Sequence, residues 1–153
     1  MKFKHGTRRR AAEYEKDWVQ RWKEDDTFNK SIAQRPADNS WVFYDGPPFL
    51  TGTPHHGHLL VSTVKDTMGR FHTMKGQRVE RRWGWDCHGL PAEVYVEKTL
   101  GISNKKEIGT KISVSDYVKE CRAAMVRTGT EWEDTIERIG RWVEFKGAYK
   151  TMD

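Results

Sequence analysis

The order of residue periodicities along the 153-residue chain predicts an α/β fold: a parallel sheet with flanking helices, preceded by an N-terminal helix. An aromatic and β-branched run, Trp41-Val42-Phe43-Tyr44, precedes a long helical pattern and then a second extended stretch, Gln77 to Trp85. Strand, crossover helix, strand implies parallel neighbours joined by a right-handed connection. The turn between the first strand and the helix is rich in glycine and proline. In open parallel sheets such turns, at the carboxyl ends of strands, are where ligands bind.

Each element has its own signal. Tyr14, Trp18 and Trp22 recur every fourth residue, which predicts an amphipathic helix from Ala11 to about Asp26. Polar residues and Pro36 make Asn29 to Asn39 a loop. Trp41 to Tyr44 reads as a buried strand, stopped by Asp45-Gly46-Pro47-Pro48. The next helix is expected from about His55 to Met74, with Leu60, Val64, Met68 and Phe71 on one face and Gly76 past its end. After the second strand, a loop covers about Asp86 to Gly89, and Pro91 suits the first turn of a further helix. Asn104 to Thr110 is polar and reads as a loop. Ser113 or Ser115 caps a helix to about Val126, with Val118, Cys121 and Met125 inward; Trp132, Ile136 and Ile139 mark a last helix from about Glu131. Thr151-Met152-Asp153 reads as an interruption rather than a closing element.

Composition narrows the class. Hydrophobic residues make up 36% and charged residues 32%, and no apolar stretch approaches the length of a membrane span. The basic N-terminus (Lys2, Lys4, Arg8 to Arg10) lacks the apolar core of a secretory signal. Cys87 and Cys121 do not suggest a disulfide scaffold, so a cytoplasmic chain without a membrane partner is expected. The net charge of +5 admits an anionic partner without requiring one, because most basic residues are interspersed with acids.

The chemistry concentrates in Gly46 to Leu60, GPPFLTGTPHHGHLL. A helix beginning near His55 offers free backbone N–H groups and the positive end of its dipole to phosphate. His55 and His58 are three residues apart and face one side of its first turn, so both can donate to one phosphate cluster. Gly57 leaves room for a flat base, Gly46-Pro47-Pro48 forms a stiff turn able to hold an amino acid, and Asp86 on the adjacent loop can receive an ammonium group. The glycine spacing of Gly52 to Leu59 also matches a P-loop, but His58 and Leu59 stand where that motif needs lysine and a hydroxyl. Zinc is disfavoured because His55, His56, His58, Cys87 and His88 lack the paired spacing of metal knuckles.

These residues carry a resemblance. FYDGPPFLTGTPHHGHLL, followed by RRWGWDCHGLPAE, resembles the amino-terminal half-site of the class I aminoacyl-tRNA synthetases, with HHGH matching that class's first signature, in which the second position varies. Gly84 to Pro91, GRWVEF and YKTMD are similar to the isoleucyl members of that class. The resemblance implies ATP-dependent activation of isoleucine to an adenylate and transfer to tRNA(Ile), with Mg2+ accompanying ATP. It assigns His55 and His58 as catalytic, and Gly52, Thr53, Pro54, His55, Gly57 and His58 to ATP. Gly46, Pro47, Trp85 and Asp86 go to isoleucine. It also implies a division into a helix-and-loop segment, 1–40, and the first half of a Rossmann-like catalytic domain, 41–153. The second signature loop, the editing domain and the anticodon domain are not in this sequence. Weak or no isolated activity is therefore expected, as are an exposed strand edge and apolar surface. Two alternatives remain: an inactive ATP-binding module completed by a partner chain, and a nucleotidyl transferase acting on another substrate class.

Overall fold

A computed structural model describes residues 6, 8–49, 53–127 and 130–153. Its elements run α1 (Ala11–Glu24), α2 (Thr27–Ala33), α3 (His56–Met74), β1 (Arg82–Trp85), α4 (Leu90–Thr99), α5 (Val114–Arg127), α6 (Thr130–Arg138) and β2 (Glu144–Lys150), with 3-10 turns at Ala37–Asn39 and Lys105–Glu107. The α/β class is as expected: β1 and β2 pair in parallel, flanked by helices. Arg82 lies opposite Glu144 and Trp85 opposite Lys150, with an irregularity that gives β2 the extra residues. Gly147, at φ 70°, sits within that longer stretch, where a left-handed residue lets the strand bulge.

The sheet differs from expectation on both sides of β1. The final strand, β2, gave no usable sequence signal, because its exposed and half-buried residues do not form an apolar run. Conversely, Trp41 to Tyr44 forms no regular strand. Among the described residues, 40–49 run beside the chain leading into and out of β1 and are bridged to it at Ser40–Arg78 and Phe49–Asp86. Trp41 N–H donates to Arg78 O at 2.9 Å and Asp86 N–H to Pro48 O at 2.8 Å. Between those bridges, Trp41 stacks on His72 with ring centroids 3.9 Å apart, and Pro47 and Pro48 have no N–H to give a ladder. Burial still alternates, with Val42 and Tyr44 68% and 92% exposed, so this is an uncovered edge rather than a buried strand. β1 is correspondingly shorter than Gln77 to Trp85.

Three smaller corrections concern helices. A second helix, α2, occupies part of the expected Asn29 to Asn39 loop, because Asp26 turns left-handed (φ 49°) and restarts the chain, its carbonyl accepting from Lys30 N–H. Ser113, not Ser115, caps α5, its Oγ accepting from Asp116 N–H at 3.0 Å. In that helix Tyr117 and Met125 are buried while Val118 points outward, and Ile139 lies beyond the end of α6, partly exposed.

The core gathers Trp83, Trp85, Cys87, Ala92, Met125, Trp132 and Ile136, with Val143 and Phe145 packed against it. The side of α3 turned inward is made of small residues, Ser62, Gly69 and Thr73. A Cβ on Gly69 would lie 2.4 Å from Arg81 Nε, so glycine lets the helix lie directly on that buried guanidinium. The expected stripe of Leu60, Val64, Met68 and Phe71 faces outward and is exposed.

Candidate active site

Because residues 40–49 run parallel to the chain through β1, bridged at Ser40–Arg78 and Phe49–Asp86, the end of that segment and the loop that follows β1 lie side by side. Asp86 N–H bonds to Pro48 O across that end. The Asp86 carboxylate, half-buried, accepts from His88 N–H at 3.1 Å.

The two histidines build the start of α3. His55 is the N-cap, and its Nδ1 accepts from Gly57 N–H at 3.1 Å. His58 Nδ1 accepts in turn from His55 N–H at 3.2 Å. This is a capping box made of imidazoles instead of a hydroxyl and a carboxylate. The hydrogen bonds settle the tautomers: each Nδ1 is an acceptor, so each neutral ring carries its proton on Nε2. Both Nε2–H groups are therefore left as donors beside a helix N-terminus. The rings stack 3.6 Å apart. Burial first, and the neighbouring His55 second, hold the His58 imidazole below its ordinary value of 6.5.

Gly57 serves this arrangement directly. A Cβ there would meet His55 Cε1 at 3.0 Å and Nδ1 at 3.1 Å, so its missing side chain is the room the His55 ring occupies. Thr53 is exposed and Pro54 half-buried just ahead of the cap. Gly52 lies outside the described residues. Gly46 is open to solvent, and Pro47 packs against Gly84, where a Cβ would meet Pro47 Cβ at 3.2 Å. Trp85 is 5% exposed and edge-on to Trp132, with centroids 6.0 Å apart. Among the described residues no group of three or more His, Cys, Asp or Glu is placed to hold a metal ion, and no helix is long and apolar enough to cross a membrane.

The family described as tRNA synthetases class I (I, L, M and V) matches residues 17–153. The chain belongs to the class I tRNA synthetases. Named relatives of this synthetase chain include the isoleucine–tRNA ligase of Treponema denticola, 48% identical over 142 residues, which are 93% of this chain and 13% of that protein. Isoleucine–tRNA ligase 2 of Pseudomonas fluorescens is 49% identical over 135 residues, covering 88% of this chain and 13% of that protein. The chain thus spans about an eighth of the length of these relatives. Among solved structures, a LeuRS of Agrobacterium radiobacter, in a ternary complex with tRNA and LeuAMS, matches 89% of this chain and 15% of its own, with TM-score 0.59 and 20% identity. That likeness shows the fold.

Within the synthetase chain, three supports escaped the sequence reading. Trp132 of α6 tilts against the His58 ring at 4.7 Å and so ties it to the core; its helical spacing marked it only as apolar. Thr151 braces the loop after β1: its Oγ1 accepts from Cys87 N–H at 2.9 Å, its N–H donates to Trp85 O, and its carbonyl accepts from His88 Nε2 at 2.8 Å. Cys87 and His88 thereby gain a bracing role, and burial pushes the Cys87 thiol up, away from nucleophilic chemistry. Asp45, which the sequence marked only as a strand stop, is the third.

Proposed function

We propose that this chain is the first half of the adenylation site of a cytoplasmic isoleucine–tRNA ligase, with residues 41–153 forming the first half of its Rossmann-like domain. The observation that carries this reading is the imidazole capping box, which uses both Nδ1 atoms as acceptors and leaves two Nε2–H groups as donors at one helix end. In the reaction, the isoleucine carboxylate attacks the α-phosphorus of ATP, the bond to the β-phosphate oxygen breaks, and pyrophosphate leaves as isoleucyl-adenylate forms. Negative charge grows on phosphate oxygens, and preorganised donors of fixed direction stabilise it most. His55 and His58 supply those donors. Thr53, Pro54 and Gly57, with Gly52, shape the ATP side of the site. Asp86 receives the α-ammonium, Gly46 and Pro47 border the amino acid, and Trp85 closes the floor beneath it. Magnesium arrives with ATP and neutralises its phosphates. Transfer to tRNA(Ile) belongs to the complete ligase. Support for isoleucine over leucine or valine comes from the named relatives at 48–49% identity.

Isoleucine-dependent exchange of labelled pyrophosphate into ATP tests the reading. Slow exchange that requires isoleucine, and that His58→Ala abolishes, is the expected result. Exchange driven by another amino acid but not by isoleucine overturns it.

A further inference from the structure

We propose that Asp45, gripped by Lys65 and Arg141, is a positioning residue that aligns the Gly46-Pro47 turn with the ATP-binding end of α3. The inference rests on the adenylation-site reading above. Between its bridges at Ser40 and Phe49 the turn has no ladder to hold it, and Gly46 has open space around it. Asp45 supplies the anchor. One carboxylate oxygen receives Lys65 Nζ and the other receives Arg141 Nη2. Lys65 Nζ also donates to Gly46 O at 3.0 Å, directly within the turn. Arg141 Nη1 donates to Ser62 Oγ at 3.2 Å, and its guanidinium lies over Trp83, 5.1 Å from the ring centre. The side chains of Asp45 and Arg141 are 9% and 4% exposed.

Position on the helix gives the network its consequence. His58, Ser62 and Lys65 are spaced i, i+4 and i+7, so they share one face of α3. The face that presents His58 to ATP is the face that grips the turn expected to border the amino acid. A buried ion pair contributes little net stability, because desolvation offsets the attraction. What the trio supplies is a defined distance between two half-sites, and adenylation depends on such a distance because the attacking carboxylate must meet the phosphorus in line.

The test is equilibrium binding of ATP and of isoleucine to the whole chain, with thermal unfolding measured in parallel. Lys65→Met leaves the Asp45–Arg141 pair intact and removes the contact to Gly46. It is expected to weaken isoleucine binding about tenfold while ATP binding stays within about twofold. Lys65→Arg, which keeps a cation able to reach both acceptors, is expected to restore isoleucine binding. Asp45→Asn should act in the same direction as Lys65→Met and more strongly. Unchanged isoleucine binding in Lys65→Met, a parallel loss of both ligands, or failure of Lys65→Arg to rescue overturns the inference alone. A wild-type chain that binds neither ligand overturns the adenylation-site reading, and this inference with it.

Discussion

At the residue level, the histidine pair performs two tasks with its two kinds of nitrogen. Nδ1 atoms cap α3, which leaves the proton of each neutral ring on Nε2. Protonating His58 would place a proton on the Nδ1 that accepts from His55 N–H, so the cap and the neutral state stand together. Its folded value lies below 6.5, so between the two values the unfolded chain binds more protons. The contribution of His58 is therefore complete above about pH 6.5 and is lost as pH falls through the depressed folded value. Urea unfolding from pH 8 to pH 5 should show this decline, and His58→Gln, which cannot titrate, should flatten it. Gly57→Ala separates folding from binding. Alanine restricts the unfolded chain more than glycine does, yet its Cβ would intrude on the His55 ring. The expected result is an unchanged or higher melting temperature with ATP binding weakened about tenfold, since a displaced donor loses its aim.

Among the elements, α3 carries both the histidine cap and a face of small buried residues, Ser62, Gly69 and Thr73. Its inward residues are small because Arg81 lies directly beneath, its guanidinium held down to about 10 chiefly by burial, against the raising influence of Asp66. Gly69→Ala would force that buried group aside, at a cost of about 1–3 kcal/mol, the range for overpacking a filled interior. Ile136 of α6 is 0% exposed and packs in the cluster that contains Trp132. Ile136→Ala should cost about 2–5 kcal/mol. Because Trp132 supports the His58 ring, it should also weaken ATP binding at temperatures where the chain remains folded. Chemical denaturation checks both costs, and ATP titration of Ile136→Ala below its transition checks the coupling.

At the scale of the whole molecule, the outward stripe of α3 leaves apolar side chains uncovered. Leu60, Val64, Met68 and Phe71 are 42–67% exposed on one helix face, and Val42 and Tyr44 add to the uncovered apolar surface. Contiguous apolar surface of this kind promotes association. Sedimentation of the chain should show mass rising with concentration. The double substitution Val64→Lys and Met68→Lys should suppress that rise without lowering the melting temperature, since neither side chain is buried.

Local chemistry is legible in order along a chain. The apolar spacing of α1, the proline and glycine around α3 and α4, and the imidazoles at i and i+3 each act within a turn or two, so periodicity and residue type sufficed to read them and to join them to a known family. The partners of these groups depend on residues far away in the chain. Asp45 finds Arg141, Asp86 rests on Pro48, and the loop after β1 leans on Thr151. Trp41 to Tyr44 looked like a buried strand because strand propensity is local. Whether such a run becomes one depends on a neighbour to pair with and a layer to cover it, and those are properties of the folded chain alone.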